Sequence, residues 1–154
     1  MPKVFYLSEI LKFAVEKEQQ AADLYQKLAD HASDVKDKEL FKKLVQDELG
    51  HKAFYTEILS SVPEEGSPKV HSGEEYDAYM RQLIESSRTT KPLPDDISSM
   101  PLNDILDYAI ERERDSVMFY LGLKQYVPEN AKTKVDVIIA EESRHAAVIA
   151  GLKK

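Results

Sequence analysis

Glu48 and His51 stand three residues apart in the run "DELGH", and Glu142 and His145 repeat that spacing in "AEESRH". On an α-helix a three-residue step keeps two side chains on one face, about a turn apart. Each pair therefore offers a carboxylate and an imidazole to the same neighbour. Both runs interrupt stretches whose apolar residues recur at helical spacing, where leucine would suit a core better. A carboxylate and an imidazole held together in apolar surroundings can ligate a divalent metal or move a proton.

Two more acids fall in comparable places. Steps of three and four along the first helical stretch give Leu7, Leu11, Ala14, Glu18, Ala21, Tyr25 and Leu28. A second stretch gives Phe41, Leu44, Glu48, His51, Tyr55 and Ile58. A third gives Leu102, Leu106, Ala109, Glu113, Ser116, Tyr120, Leu123 and Val127, and a fourth gives Val135, Ile138, Glu142, His145, Ile149 and Leu152. Each stripe is broken near its middle by a glutamate, and none contains a lysine or arginine. Four buried carboxylates without compensation would be strongly unfavourable, and a pair of divalent cations would balance them.

The elements that must position these residues are four helices, expected over 7–31, 34–61, 102–127 and 129–152. Turns at Ser33–Asp34 and at Val127–Pro128–Glu129 make two antiparallel hairpins. The hairpins are copies of each other. "LSEILKFAVEKEQQAADLYQKL" from Leu7 aligns with "LNDILDYAIERERDSVMFYLGL" from Leu102 without a gap, matching Glu18 and Tyr25 to Glu113 and Tyr120. "LVQDELGH" from Leu44 aligns likewise with "IIAEESRH" from Ile138. A duplicated hairpin joined by a long crossover predicts an all-α fold, a four-helix bundle. The chain reads as one domain over 1–154: hairpin 7–61, crossover 62–101 and hairpin 102–152. The crossover holds Pro63, Pro68, Pro92, Pro94 and Pro101, yet is too long to be structureless. It is expected to carry an extra helix, opened by the capping pair Ser72 and Glu75, with Tyr76, Met80, Leu83 and Ile84 on its apolar face.

A glutamate from each of two helices and Glu-x-x-His from each of the other two is the ligand inventory of di-iron and di-manganese carboxylate bundles. On these motifs the chain resembles the ferritin-like superfamily, and within it the diiron domain of rubrerythrin. The resemblance covers all four helices and leaves out the crossover. It implies two iron ions per chain, ligated by Glu18, Glu48, His51, Glu113, Glu142 and His145, with Glu48 and Glu142 bridging. It also implies an oxidoreductase that reduces hydrogen peroxide or dioxygen, with no catalytic residue beyond the ligands. Asp47 and Glu141 each precede a bridging glutamate. In related diiron proteins an acid there orients the histidine of the opposite helix, which would pair Asp47 with His145 and Glu141 with His51; the alternative is a solvated acid on the helix flank. Tyr25 and Tyr120 lie seven residues beyond Glu18 and Glu113. Their hydroxyls either reach the bridging carboxylates or are satisfied within the core, the commoner arrangement for a buried tyrosine.

Two departures from rubrerythrin bear on function. Rubrerythrins append a rubredoxin domain with four cysteines, and this sequence has no cysteine. An external electron donor, such as a rubredoxin-like protein, is therefore expected. Rubrerythrins also carry an extra glutamate where this chain has Ile110; Glu111, beside it, lies around the helix and is expected in solvent. Two other readings are open: ferritin-like iron storage, and a helical module that binds metal without catalysis. A mixed Mn/Fe pair suits the same ligands.

Composition excludes other classes. A net charge of −7 with no basic patch argues against nucleic acid as a partner. No apolar run approaches the roughly 20 residues of a membrane span. The start, "MPKVFYLSEI", lacks the apolar core of a signal peptide. The expectation is a cytoplasmic homodimer acting in oxidative stress. His31 and His71 are expected at the surface.

Overall fold

A computed structural model describes residues 7–62, 74–89, 93–94 and 96–154. Among these residues there are five helices and no strand: α1 (Leu7–His31), α2 (Val35–Ser60), α3 (Glu74–Thr89), α4 (Leu102–Leu123) and α5 (Glu129–Gly151). The fold is all-α. α1 runs beside α2 and α4 beside α5; α1 meets α4 across the bundle, and α3 lies against α4.

Local chemistry sets the helix ends. Asp34 caps α2, its carboxylate accepting from the backbone N–H of Lys36 at 2.7 Å and of Asp37 at 3.4 Å. Pro101 and Pro128 stand at the N-caps of α4 and α5, where no helical hydrogen bond needs their missing N–H. α4 stops at Leu123 rather than running to 127 as the apolar pattern suggests. Gln125 and Tyr126 bond back only three residues, to the carbonyls of Gly122 and Leu123, so the last turn tightens. Pro128 then disfavours helical backbone at Val127. Tyr126 and Val127 remain buried, which is why the stripe appears to continue.

The crossover helix falls where its apolar face predicts. Met80 and Ile84 are buried in the core, and Leu83 packs against it. The Ser72 cap and the Tyr76 side chain lie outside the described residues, as does His71. Leu102 departs from expectation. As the first residue of α4 it is half-exposed, and the buried stripe of that helix begins at Ile105 and Leu106.

The core is divided in two. One half gathers Leu11, Phe13, Phe119, Leu123, Val135 and Ile138; the other gathers Leu28, Phe41, Leu44, Ile105, Leu106 and Ile149. On every long helix the residues of the two halves are separated by an acid, or by an acid and a histidine. Glu18, Glu48, His51, Glu113, Glu142 and His145 form that dividing layer, and all six are at most 3% exposed. Among the described residues no helix is long and apolar enough to cross a membrane.

Candidate metal centre

The six side chains fall into two overlapping groups. Glu18, Glu48, His51 and Glu142 form one; Glu48, Glu113, Glu142 and His145 form the other. Within each group the candidate ligand atoms lie within 4.8 Å of one another. Glu48 and Glu142 belong to both groups. This follows from topology: α2 and α5 each bring a Glu-x-x-His face inward, while α1 and α4 close the ends with one glutamate apiece.

Both imidazoles turn Nδ1 inward. His51 Nδ1 is 3.0 Å from Glu142 Oε1 and 3.5 Å from Glu18 Oε2. His145 Nδ1 is 2.8 Å from Glu48 Oε1 and 3.6 Å from Glu113 Oε1. The rings are nearly parallel, at 19°, with centroids 6.2 Å apart. Each Nε2 faces outward to an acid on the other hairpin, His51 to Glu141 and His145 to Asp47 at 3.1 Å. The crossed pairing expected of Asp47 and Glu141 is therefore present in the geometry. An Nε2–H donated outward leaves Nδ1 with its lone pair toward the cluster.

The tyrosines differ from one expectation. Neither hydroxyl reaches a bridging glutamate. Tyr25 donates to Glu113 Oε1, and Tyr120 donates to Glu18 Oε1. Each tyrosine thus crosses from one hairpin copy to the other and holds one oxygen of an end glutamate. It lies a heptad beyond its own helix's glutamate and reaches across the bundle to its partner's. Burial, followed by the surrounding carboxylates, raises both phenols well above their ordinary value, so they stay protonated donors.

What remains inside the layer is a set of lone pairs without partners. Glu18 Oε2, both oxygens of Glu48, Glu142 Oε1, Glu113 Oε2 and the two Nδ1 atoms are buried and make no hydrogen bond. Titration reflects the crowding. Burial and then the contact with Glu18 push the Glu48 carboxyl well up; burial and then the charge of Glu113 do the same to Glu142. Burial alone would raise Glu18, but its contacts with Glu48, His51 and Tyr120 bring it below the ordinary value. Burial alone would lower His51, but Glu142 and Glu18 override it and raise the imidazole to about 11. Without a cation, the layer therefore holds its charge down with protons. Carboxylate oxygens and imidazole nitrogens converging in a buried layer are, once metal displaces those protons, the donor set that hard and borderline divalent metals take. These residues fit such a pair.

Among the described residues, one buried charge lies outside the predicted set. Lys17, between Glu16 and Glu18 in the sequence, is 4% exposed. Its ammonium stands 5.6 Å over the Phe13 ring and has no hydrogen-bond acceptor. Burial, with a lesser contribution from Arg112, lowers it to about 8. The only sequence signal was position, one residue before Glu18 on the flank of the α1 stripe. Glu111 and His31 are exposed, as expected, and Ile110 packs at the edge of the second core half.

The match to the ferritin-like domain family spans residues 7–154, and the chain belongs to that family. Its fold is similar to a crystal structure from Thermotoga maritima described as a ferritin-like diiron-carboxylate protein. The TM-score is 0.68 at 20% sequence identity, over 97% of this chain and 95% of that one. No curated protein matches the sequence.

Proposed function

We propose that this chain binds two metal ions, iron in the first instance, and is a rubrerythrin-like oxidoreductase that reduces peroxide or dioxygen. The observation that carries the reading is the pair of ligand groups sharing Glu48 and Glu142, with inward lone pairs left unpartnered in both. The diiron-carboxylate description of the Thermotoga maritima neighbour supports the same reading. Bound iron would supply the electron transfer, cycling between ferrous and ferric states.

The chain's own residues do the rest. Glu48 and Glu142, common to both ligand groups, would be shared by the two ions. His51 and His145 present Nδ1, oriented by Glu141 and Asp47. Tyr25 and Tyr120 each occupy one oxygen of Glu113 and Glu18 and leave the other turned inward. Apolar layers on both sides keep bulk water away, so charge at the site is balanced by these groups and not by solvent.

The test is anaerobic reconstitution with ferrous iron followed by elemental analysis. The expected stoichiometry is about two irons per chain, the filling of a Glu/Glu-x-x-His bundle. Glu142→Ala should lose most of one or both. Full loading of a Glu48→Ala/Glu142→Ala protein would overturn the site. Uptake of many irons per chain after exposure to dioxygen would replace the oxidoreductase reading with storage.

A further inference from the structure

The duplication makes the metal centre nearly two-fold symmetric, and one residue breaks that symmetry at the site itself. Tyr55 lies four residues after His51 on α2, one turn further along the same face. In the other copy the matching residue, four after His145, is Ile149. Both are completely buried. One end of the layer is therefore closed by an aliphatic side chain, and the other by a phenol.

The phenol's ring is accounted for by packing. It stacks on Tyr120 with centroids 5.0 Å apart and 27° between planes, and it meets Phe54 edge-on. Phenylalanine would pack equally well. The hydroxyl is what packing does not explain: it is buried and has no hydrogen-bond partner. Tyr25 and Tyr120, one in each core half, both spend their hydroxyls on end glutamates. The Tyr120 ring on which it stacks belongs to the side chain that bonds Glu18, a member of the first ligand group, which sets the Tyr55 hydroxyl toward that end. A buried donor with no protein acceptor is unfavourable unless something else accepts from it.

We infer that Tyr55 is a hydrogen-bond donor to a small oxygen- or nitrogen-donor anion bound at the Glu18 end of the metal pair. The inference rests on the two-metal reading proposed above. It makes the centre functionally one-sided. The Glu18 end, with a free phenol, takes the exogenous ligand, and the Glu113 end, backed by Ile149, has no equivalent donor.

The experiment compares wild-type protein with Tyr55→Phe and uses azide as the probe. Both proteins are first loaded with iron, and metal content is measured before any ligand is added. Azide affinity is then read from its charge-transfer absorption on the oxidised proteins. Tyr55→Phe should load metal fully, melt at or above the wild-type temperature when metal-free, and bind azide about tenfold more weakly, the loss expected for one hydrogen bond to a charged acceptor. Equal azide affinity in two fully loaded proteins overturns the inference and leaves the metal site standing. A loaded wild type that binds no azide overturns it too. So does a metal-free Tyr55→Phe that melts well below wild type, or that fails to load, because the hydroxyl would then be supporting the protein or its ligands. Failure of the wild type to load iron removes the reading on which the inference depends.

Discussion

The outward nitrogen of His145 stands 3.1 Å from Asp47 Oδ2, so an acid of the first hairpin holds a histidine of the second. The reciprocal contact joins His51 to Glu141. Asp47 is less buried than the histidine, and its other partner is the exposed Lys43. The acid can therefore be altered with little effect on the core. Asp47→Asn should weaken metal binding by about 10- to 100-fold, the usual effect of losing a carboxylate behind a ligating imidazole. Metal-free stability should change little. A competition titration against a chromophoric chelator measures it, and Glu141→Gln should behave alike. Wild-type affinity in both variants would mean that packing alone orients the rings.

The pH dependence of the metal-free protein follows from the same layer. Glu48 and Glu142 have raised folded values, so the folded state holds protons that the unfolded chain releases above about 4.5, and stability falls as pH rises from there. His51 adds to the trend. Its contribution is complete below its unfolded value of 6.5 and is lost as pH climbs toward about 11. Glu18 acts the other way, but only below its ordinary value. The metal-free protein should therefore lose melting temperature between about pH 5 and 8. Metal replaces those protons, so the loaded form should not follow, and the gap between the forms should widen with pH. Thermal melts with and without chelator across that range are the check. Coincident curves at neutral pH would mean the acids are not massed together.

Much of this was legible because the informative residues are polar ones in apolar stripes, and the duplication writes them twice. Glu18 and Glu113, and the two Glu-x-x-His pairs, could hardly be surface residues at those positions. The crossed pairs of Asp47 and Glu141 came only from the resemblance to related diiron proteins, since position alone left a solvated acid equally open. Helical periodicity, however, gives only the face a side chain leaves from, not which helix it meets. That is why the sequence left the tyrosine hydroxyls open between the bridging glutamates and the core, when they serve Glu113 and Glu18. The charged neighbours of Lys17 likewise disguise its burial, the long side chain carrying its ammonium over Phe13. Tyr55 read as one more aromatic core position, since no sequence pattern distinguishes a satisfied hydroxyl from an orphaned one.

Lys17 gives a prediction of opposite sign. Its folded value is about 8 against 10.5 ordinarily, so below about pH 8 folding must bury an ammonium that has no acceptor. Between those values the unfolded chain binds the extra proton, and the penalty fades as pH rises. Lys17→Met keeps the volume and removes the charge. It should stabilise the metal-free protein by on the order of 1 kcal/mol at pH 7. The gain should shrink above about pH 8 and vanish near the ordinary lysine value. Chemical denaturation at several pH values measures both. A variant less stable than wild type at pH 7 would show that the ammonium is compensated, Asp115 on α4 being the acid that acts most strongly to hold its charge.

The last expectation concerns electrons, and it separates catalysis from storage. Reduction of peroxide to water takes two electrons, and a ferrous pair can give two, so reduced protein should consume about one equivalent per pair in a fast burst. A second turnover needs two electrons from elsewhere. The sequence has no cysteine, so it holds no thiol pair and no cysteine-ligated cluster to supply them. Turnover should therefore stop after the burst and resume when a rubredoxin-like donor and its reductase are added. Stopped-flow absorbance in the near-ultraviolet follows the burst, and peroxide consumption with donor present follows the resumption. Repeated turnover without any donor would mean that the chain disproportionates peroxide instead. Inertness to peroxide, combined with oxidation by dioxygen and continued uptake of iron, would make the centre an entry site for storage.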